Sequence, residues 1–302
     1  MLRVIQVNLK HSKCASDNLR VFLREENYDV GIIQEPWVNG LRVRGLQDSQ
    51  YDLFYKPVSS NQGKPRTCIL AKKHLKAFLC PNLSTSDLTV VKLEGSNTEG
   101  LLLASAYMAH DQQSPPEEVR RLTIQANTMK TSLLIGCDAN ARHTLWGSSE
   151  INERGESLFD YIIENNLSLC NRGTTPTFIF PSSGNYEGWE DVLDITFINN
   201  YSNLQVENWR VSPLKSFSDH SWILFQLKFE TKTPPPYRNP KRIDWKNFGQ
   251  VFSAKIRSIP NLSTDTVEDL ESKVITFERS MITAFKVSCP VRHSSTEKNM
   301  TR

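Results

Sequence analysis

Short apolar runs recur along the first 230 residues, and their number restricts the fold more than any other feature. Each run is rich in Val, Ile, Leu and Phe and ends at a polar or Gly-containing turn, which is typical of β-strands. There are too many of them for a helical bundle. The runs are LRVIQVNL (2–9), DVGIIQEP (29–36), TCILAKK (67–73), LTVVKLE (88–94), LLLASAYM (101–108), SLLIGCD (132–138), LSLCN (167–171), PTFIF (176–180), VLDITFI (192–198), WRVSP (209–213) and SWILFQLKF (221–229).

Few helices are predicted among these strands. Their predicted starts are Ser16 or Asp17, the pair Pro115 and Pro116, and about Glu153 for a helix that ends near Asn165. A helix separates the first two strands and another precedes the strand at residue 132, whereas most other strands follow one another directly. This order favours a four-layer α/β sandwich, in which two packed mixed β-sheets are flanked by helices, over a doubly wound Rossmann sheet.

The sequence divides into a body and a tail. Residues 1–230 are predicted to form one domain, and the proline-rich, basic stretch TKTPPPYRNPKR (231–242) is predicted to be an extended linker. Residues 243–302 carry helical spacing in two segments, so we expect a short helical extension with too small a core to stand alone and with disorder at its end.

Charge is unevenly spread along the chain. The formal net charge is only +3, but residues 231–302 hold 13 Lys and Arg against 7 Asp and Glu. The body is therefore slightly acidic, and any anion-binding surface in it must be local. The basic tail is predicted to add affinity for phosphate that does not depend on sequence.

The cysteines and the amino terminus indicate a compartment. Six cysteines include no C-x-x-C pair, and the opening MLRVIQVNLKHSK is too short to be a secretory leader or an anchor. No apolar stretch approaches the ~18 residues needed to cross a bilayer. We therefore expect a soluble intracellular protein with free thiols and no membrane partner.

Polar side chains stand at the ends of the predicted strands, where they can leave the core while the backbone stays rigid. They are Asn8, Gln34, Glu35, Tyr107, Asp138, Asn140, Thr177, Asp194, Ser218, Asp219 and His220. Taken singly, most have an ordinary explanation as turn formers, packed histidines or hydrogen-bonded aromatics. Asp194 is different, because a carboxylate between Leu193 and Ile195 is costly unless it is paired.

Taken together and in order, these residues resemble the endonuclease/exonuclease/phosphatase superfamily. Four phrases, GCDANARHTLWGS, NERGESLFDYI, NRGTTPTF and LDITF, resemble the apurinic-type endonuclease domain of non-LTR retrotransposons of the insect jockey and R1 kind. The resemblance covers about residues 1–230. The tail, ending near CPVR, resembles the linker that leads into a reverse transcriptase.

The resemblance implies a divalent metal site. Glu35 would hold the ion with Asn8 and Asp219 nearby, and oxygen ligands of this kind suit Mg²⁺, with Mn²⁺ as an alternative. Many members of the superfamily have an acid two positions after the first Asn, where this chain has Lys10. Metal ligation is therefore expected to depend more heavily on Glu35.

The resemblance also implies roles in phosphodiester cleavage. His220, held by Asp194, would contact the scissile phosphate, and Asp138, placed by Asn140, would orient or deprotonate the attacking water. The hydroxyl groups of Tyr107 and Thr177 would form hydrogen bonds to phosphate oxygens. The usual G-D-x-N phrase appears one residue longer, as GCDAN at 136–140, with its D-x-N pair intact.

Several residues are candidates for contact with DNA. His143 and Trp146 lie just beyond Asp138 and could rest against DNA, although loop packing explains them equally well. The same two interpretations, DNA contact and loop packing, apply to Arg142 and Arg172. The polar loops 40–66 and 182–190 are predicted to decide which DNA is cut.

The sequence thus predicts a Mg²⁺-dependent endonuclease that nicks one strand of double-stranded DNA and leaves a 3′-hydroxyl to prime reverse transcription. Its expected partners include element RNA and a reverse transcriptase domain outside this chain, since no Y-x-D-D-like site is present. The expected place of action is the nucleus. The alternatives are an abasic-site repair endonuclease, another phosphoesterase, or an inactive DNA-binding remnant of a retroelement.

Overall fold

A computed structural model of the chain describes residues 1–59, 63–95, 100–182, 187–201, 204–228, 237–257 and 266–292. The chain forms two units, Met1–Lys232 and Thr233–Arg302. The six cysteines are all free thiols, as the sequence predicts. Within the described residues, no helix is both long and apolar enough to cross a membrane.

The strands in chain order are β1 (Leu2–Asn8), β2 (Val30–Gln34), β3 (Val38–Asn39), β4 (Arg42–Val43), β5 (Tyr51–Phe54), β6 (Thr67–Lys72), β7 (Ala77–Leu79), β8 (Leu88–Leu93), β9 (Leu101–Tyr107), β10 (Ser132–Asp138), β11 (Leu167–Leu169), β12 (Phe178–Phe180), β13 (Trp189–Asp191), β14 (Asp194–Asn199), β15 (Gln205–Val211), β16 (Ile223–Lys228), β17 (Tyr237–Arg238) and β18 (Val291–Arg292). The α-helices are α1 (Lys13–Glu25), α2 (Glu117–Thr128), α3 (Glu153–Glu164), α4 (Trp245–Arg257) and α5 (Val267–Ser288). Every run predicted to be a strand contains one, except that 209–213 holds only the end of β15.

Two six-stranded mixed sheets dominate the first unit. The first has the strand order β15-β16-β1-β2-β6-β5, and the second has the order β11-β14-β10-β9-β8-β7. Each sheet has one parallel pair, β1 with β2 and β9 with β10, and its other neighbours are antiparallel. The helix that joins each parallel pair, α1 or α2, provides the crossover that a parallel connection requires.

The layers follow from where the apolar side chains pack. Residues of both sheets meet in one core, which includes Ile32 and Leu134. The outer face of the first sheet packs against α1 through Leu19 and its neighbours, and the outer face of the second sheet packs against α2 and α3. The result is the predicted four-layer α/β sandwich.

The start of α1 corrects one prediction. Ser12 caps this helix by accepting a hydrogen bond from the amide of Ala15 at 3.1 Å, so the helix begins at Lys13. Neither Ser16 nor Asp17 is the cap. Ser16 is buried and its hydroxyl donates to the carbonyl of Ser12, because the helix has already begun three residues earlier. The other two predicted helix starts are confirmed.

The second unit contains the two predicted helices, α4 and α5, and the short pair β17 and β18. Its buried described residues are few and mostly small: Ser280, Ala284, Ser288 and Cys289. Of the predicted linker, residues 231–236 lie outside the described residues, and 237–242 form β17 and a 3₁₀ turn instead of a plain extended segment. The predicted terminal disorder falls on residues 293–302, which also lie outside the described residues.

Candidate active site

Strand register brings the predicted site residues to one edge of the sandwich. Asn8 lies opposite Gln34 where the parallel strands β1 and β2 end, and Asp138 lies opposite Tyr107 where β9 and β10 end. Asp194 begins β14 directly opposite Asp138 on the antiparallel side. Polar groups from both sheets therefore meet at the same end of the core.

Two buried glutamines, Gln6 and Gln34, join the sheets behind this edge, and Gln6 is not among the residues predicted from the strand ends. Its Nε2 donates to the carbonyls of Cys137 and Ile195, both at 3.2 Å, while its Oε1 accepts from Thr196. Gln34 donates across the same interface to Ser105 and to the carbonyl of Gly136. Gln6 lies so close to Gly136 that a Cβ at that position would come within 2.5 Å of its oxygen.

Asn8 connects the acidic groups of the two sheets. Its Nδ2 donates to Glu35 Oε2 at 3.1 Å and to Asp138 Oδ2 at 2.8 Å, and the side chain is fully buried. The amide group accordingly fixes the spacing of two carboxylates that would otherwise repel each other.

His220 lies between two aspartates. Its Nδ1 is 2.8 Å from Asp194 Oδ2, and its Nε2 is 3.9 Å from Asp138 Oδ2. All three side chains are almost fully buried. The predicted need of Asp194 for a partner is met by the imidazole, and the bond at Nδ1 leaves Nε2 directed towards Asp138.

Electrostatics set the protonation states of this group. Burial alone would lower the pKa of His220, but the charge and hydrogen bond of Asp194, with the charges of Asp138 and Asp219, raise it to about 9. Burial raises the pKa of Asp138 to about 7, against the opposing effect of the His220 charge. The imidazole is therefore charged at neutral pH, and Asp138 is a carboxyl group poised near neutrality.

Asn140 holds Asp138 from the loop that follows β10. Its backbone amide donates to Asp138 Oδ1 at 3.2 Å, and its side chain donates to the carbonyl of Met108. Asn140 adopts a φ of 47°, which Asn tolerates better than most residues. Arg154 supports this loop through bonds to the carbonyls of Met108, Ala139 and Asn140, a role that sequence reasoning missed.

Glu35 is the most accessible acid of the site, and its oxygens offer the best fit to a metal. Burial would raise the pKa of Glu35, but hydrogen bonds from His11 and Asn8 outweigh it and lower that pKa. The carboxylate is thus ionised and partly open to solvent. Mg²⁺ keeps several waters and takes few protein carboxylates, so Glu35 fits a hydrated ion. Asn8 can add only its Oδ1, which also accepts a hydrogen bond from the amide of Lys10 at 2.8 Å.

The structure does not bring the whole predicted ligand set together. Asp219 forms an ion pair with Lys10, the residue that replaces the acid found in many superfamily members. Among the described residues, no three His, Cys, Asp or Glu side chains are grouped as a ready metal cage. The ligand roles of Glu35, Asn8 and Asp219 stay predictions.

Tyr107 packs against Arg66 and lies near Glu35 and Asp138. The Arg66 guanidinium lies 4.8 Å from the centre of the Tyr107 ring and also pairs with Asp87. Burial and the charges of Glu35 and Asp138 raise the pKa of Tyr107, so its hydroxyl stays protonated and can donate a hydrogen bond. A cavity of about 310 Å³ opens nearby, and its lining residues are His11, Gly63, Lys64, Arg66 and Ser86.

Thr177 does not occupy the place predicted for it. Its side chain is fully buried, and its hydroxyl oxygen accepts hydrogen bonds from the amides of Leu193 and Asp194, both at 3.0 Å. Direct contact with phosphate is therefore the wrong interpretation. Thr177 positions the start of β14, and through it Asp194.

We expect Thr177→Val to destabilise the protein by about 2–3 kcal/mol, because two buried amides lose their acceptor. Urea unfolding measures this loss, with Thr128→Val, at an exposed helix position, as the control. A variant that unfolds like wild type would contradict the support role given to Thr177.

Two of the four residues predicted to contact DNA, His143 and Trp146, are buried. Trp146 is 1% exposed and donates from Nε1 to the carbonyl of Ala141, while His143 stacks on Phe159 at 4.7 Å. Arg142 is held by Glu150 and Asp191. Loop packing therefore accounts for Trp146 and His143, whereas contact of Arg142 with DNA stays a prediction, since its side chain is 29% exposed.

Arg172 alone of the predicted DNA contacts is exposed, and its guanidinium bonds only to nearby carbonyls. The preceding Asn171 supports the site, since its amide bonds to the backbone of Asp194 and Thr196. The loops predicted to select DNA contain residues outside the described ones, 60–62 and 183–186. Their described parts include β4, β5 and the first two residues of β13.

This sandwich of two mixed sheets matches the fold of the endonuclease/exonuclease/phosphatase superfamily. The family model described as endonuclease-reverse transcriptase matches residues 101–224. An AP endonuclease from Leishmania major shares the fold, with a TM-score of 0.55 at 14% identity, over 76% of this chain and 88% of that one.

The chain is similar to the endonuclease domain of a non-LTR retrotransposon, which confirms the predicted resemblance. The endonuclease domain of TRAS1, a telomere-specific non-LTR retrotransposon, is 26% identical with a TM-score of 0.65, over 76% of this chain and 99% of that one. The fold and these matches support a nuclease or phosphoesterase.

Two curated relatives are larger retrotransposon proteins. The putative 115 kDa protein of the type-1 element R1DM from Drosophila melanogaster is 23% identical over 276 residues, covering 86% of this chain and 26% of the relative. The RNA-directed DNA polymerase from mobile element jockey of Drosophila funebris is 26% identical over 227 residues, covering 73% of this chain and 23% of the relative. The chain thus spans about a quarter of their length.

Proposed function

We propose that this chain is a Mg²⁺-dependent endonuclease that nicks one strand of double-stranded DNA and leaves a 3′-hydroxyl. The observation that carries the proposal is the buried series Asp194, His220 and Asp138, linked through Asn8 to Glu35. In a retroelement that 3′-hydroxyl would prime reverse transcription, with element RNA and a reverse transcriptase domain as partners and the nucleus as the place of action.

The side chains match the needs of phosphodiester hydrolysis. Asp138 has a pKa near neutrality, which suits a general base that orients and deprotonates water. The charged His220 can donate from Nε2 to a phosphate oxygen and stabilise the charge that develops there. The protonated Tyr107 can donate a further hydrogen bond at the same edge.

Glu35, with the amide of Asn8, would hold the metal. A divalent ion bound there would neutralise phosphate charge and stabilise the departing oxygen. The basic residues Lys64 and Arg66, which line the neighbouring cavity, favour an extended anionic substrate over a small neutral one.

Supercoiled plasmid tests the proposal directly. We expect the purified chain to convert it to open circles with Mg²⁺ or Mn²⁺ and to leave it intact with chelator. Extension of the nicked plasmid by a DNA polymerase without prior end repair would demonstrate the 3′-hydroxyl. Failure of the folded chain to nick any plasmid, with hydrolysis of an abasic duplex or a small phosphoester instead, would move the function to that substrate.

The basic tail gives a separate prediction about binding. Substituting Lys241, Arg242 and Lys246 with Gln removes three exposed positive charges. We expect weaker plasmid binding and a shallower dependence of affinity on salt, because fewer counterions are released from DNA. Deletion of 231–302 should act in the same direction. Salt titrations in chelator measure the slope, and a slope equal to that of wild type would contradict a role for the tail.

A further inference from the structure

A tight turn sets the backbone immediately before His220. The hydroxyl of Ser216 accepts a hydrogen bond from the amide of Ser218 at 3.1 Å and donates to the carbonyl of His220 at 2.5 Å. Within this turn Phe217 adopts a φ of 60°, in the left-handed region. The turn fixes the backbone that carries Asp219 and His220.

Phe217 is an unfavourable choice for that position. Gly adopts a left-handed conformation without cost and Asn tolerates it, whereas a bulky side chain is strained there. Burial does not compensate for the strain, since Phe217 is 58% exposed. Neither the conformation of the turn nor packing in the core therefore explains why an aromatic residue stands here. A bulky residue with a left-handed φ beside a candidate active site points to a function for its side chain.

A second exposed aromatic group lies alongside. Phe178 of β12 is bridged to His220, with ring centres 4.9 Å apart, and the amide of Ile179 donates to the carbonyl of Asp219. On the same short hairpin, Phe180 and Trp189 are 38% and 41% exposed. The segment that carries Phe217 therefore runs beside a hairpin that presents further aromatic surface to solvent.

We propose that Phe217 is a stacking site for a nucleobase next to the cleaved bond. The proposal rests on the proposed DNA substrate and names the part of it that this residue would bind. Every base has a flat face that an aromatic ring can stack on, so the contact tolerates many sequences. The position two residues before Asp219 favours a base of the substrate over a docked protein, which would not need to approach His220.

Variants at this position separate the ring from the turn. Phe217→Gly and Phe217→Asn keep the left-handed turn and remove the ring, and Phe217→Tyr keeps both. We expect the Gly and Asn variants to unfold at the same or a higher urea concentration than wild type and to nick about tenfold more slowly, as loss of one stacked base predicts. The Tyr variant should nick like wild type.

A binding measurement tests the stacking without cleavage. In chelator, wild type should quench the fluorescence of a single-stranded oligonucleotide that contains 2-aminopurine, and the Gly and Asn variants should quench it much less. Phe78→Ala, which removes an aromatic ring of 54% exposure from β7, is the matched control and should change neither readout.

The outcomes distinguish this inference from the proposed function. If the Gly and Asn variants quench and nick at the wild-type level, the inference that Phe217 stacks on a base is overturned. A protein-docking role for the ring would then remain. Lower stability of both variants would overturn the inference in favour of ordinary packing. If wild type fails to nick any DNA, the proposed function fails, and loss of quenching in the variants would still support base stacking.

Discussion

Replacing His220 with alanine will remove nicking and destabilise the fold at the same time. The imidazole holds Asp194 at 2.8 Å and faces Asp138 at 3.9 Å, so it serves both the chemistry and the stability of a buried acidic pair. Without it, the fully buried Asp194 loses its counter-charge, which costs about 3–5 kcal/mol when one partner of a buried pair is removed. Nicking should fall roughly 10³-fold, because proton transfer and phosphate stabilisation are lost together.

Two further variants separate these effects. His220→Asn can still donate to Asp194 but carries no charge, so we expect it to recover much of the stability and none of the activity. His220→Ala combined with Asp194→Asn removes the orphaned charge and should also unfold later than His220→Ala alone. His74→Ala, at an exposed histidine after β6, is the control. Nicking by His220→Asn within tenfold of wild type would contradict the role of the charged ring.

The fold was accessible to sequence reasoning because the strands are long and apolar. Runs such as 132–138 are buried along their whole length, so composition alone identifies them. Strands β5 and β7 escaped prediction because they are short and only partly buried. The cap at Ser12 was missed because the apolar periodicity of α1 becomes visible only from Ala15 onwards.

Strand ends predicted the candidate site better than loops did. Residues such as Asn8 and Asp138 are located by register, which the order of strands determines. The positions of the residues after β10 were harder to predict from the sequence. His143 and Trp146 have polar ring atoms that suit an exposed loop, yet they pack inward against Phe159 and the loop backbone. The role of Gln6 was not predicted because its hydrogen-bond partners belong to the other sheet. They can be identified only once the packing of the two sheets is known.

Asp138→Asn should remove nicking and leave the protein folded. An amide of the same shape has one oxygen, so it can accept from Asn8 or from Asn140 but not from both. It also cannot accept a proton from water, so we expect nicking to fall roughly 10³-fold. Burial makes the ionised carboxylate costly, and the uncharged amide avoids that cost. The matched control is Asp160→Asn on the exposed face of α3, which should nick like wild type.

The stability difference between Asp138→Asn and wild type should depend on pH in a defined direction. The pKa of Asp138 is raised from 3.8 to about 7 in the folded chain, so between these values the unfolded chain has lost the proton that the folded chain retains. Wild type accordingly loses stability relative to the variant as pH rises from about 4 to about 7. Urea unfolding of both proteins across this range measures it. A difference that shrinks as pH rises would show that the folded protein favours the ionised carboxylate, and Asp138 would then be too weak a base for the role proposed.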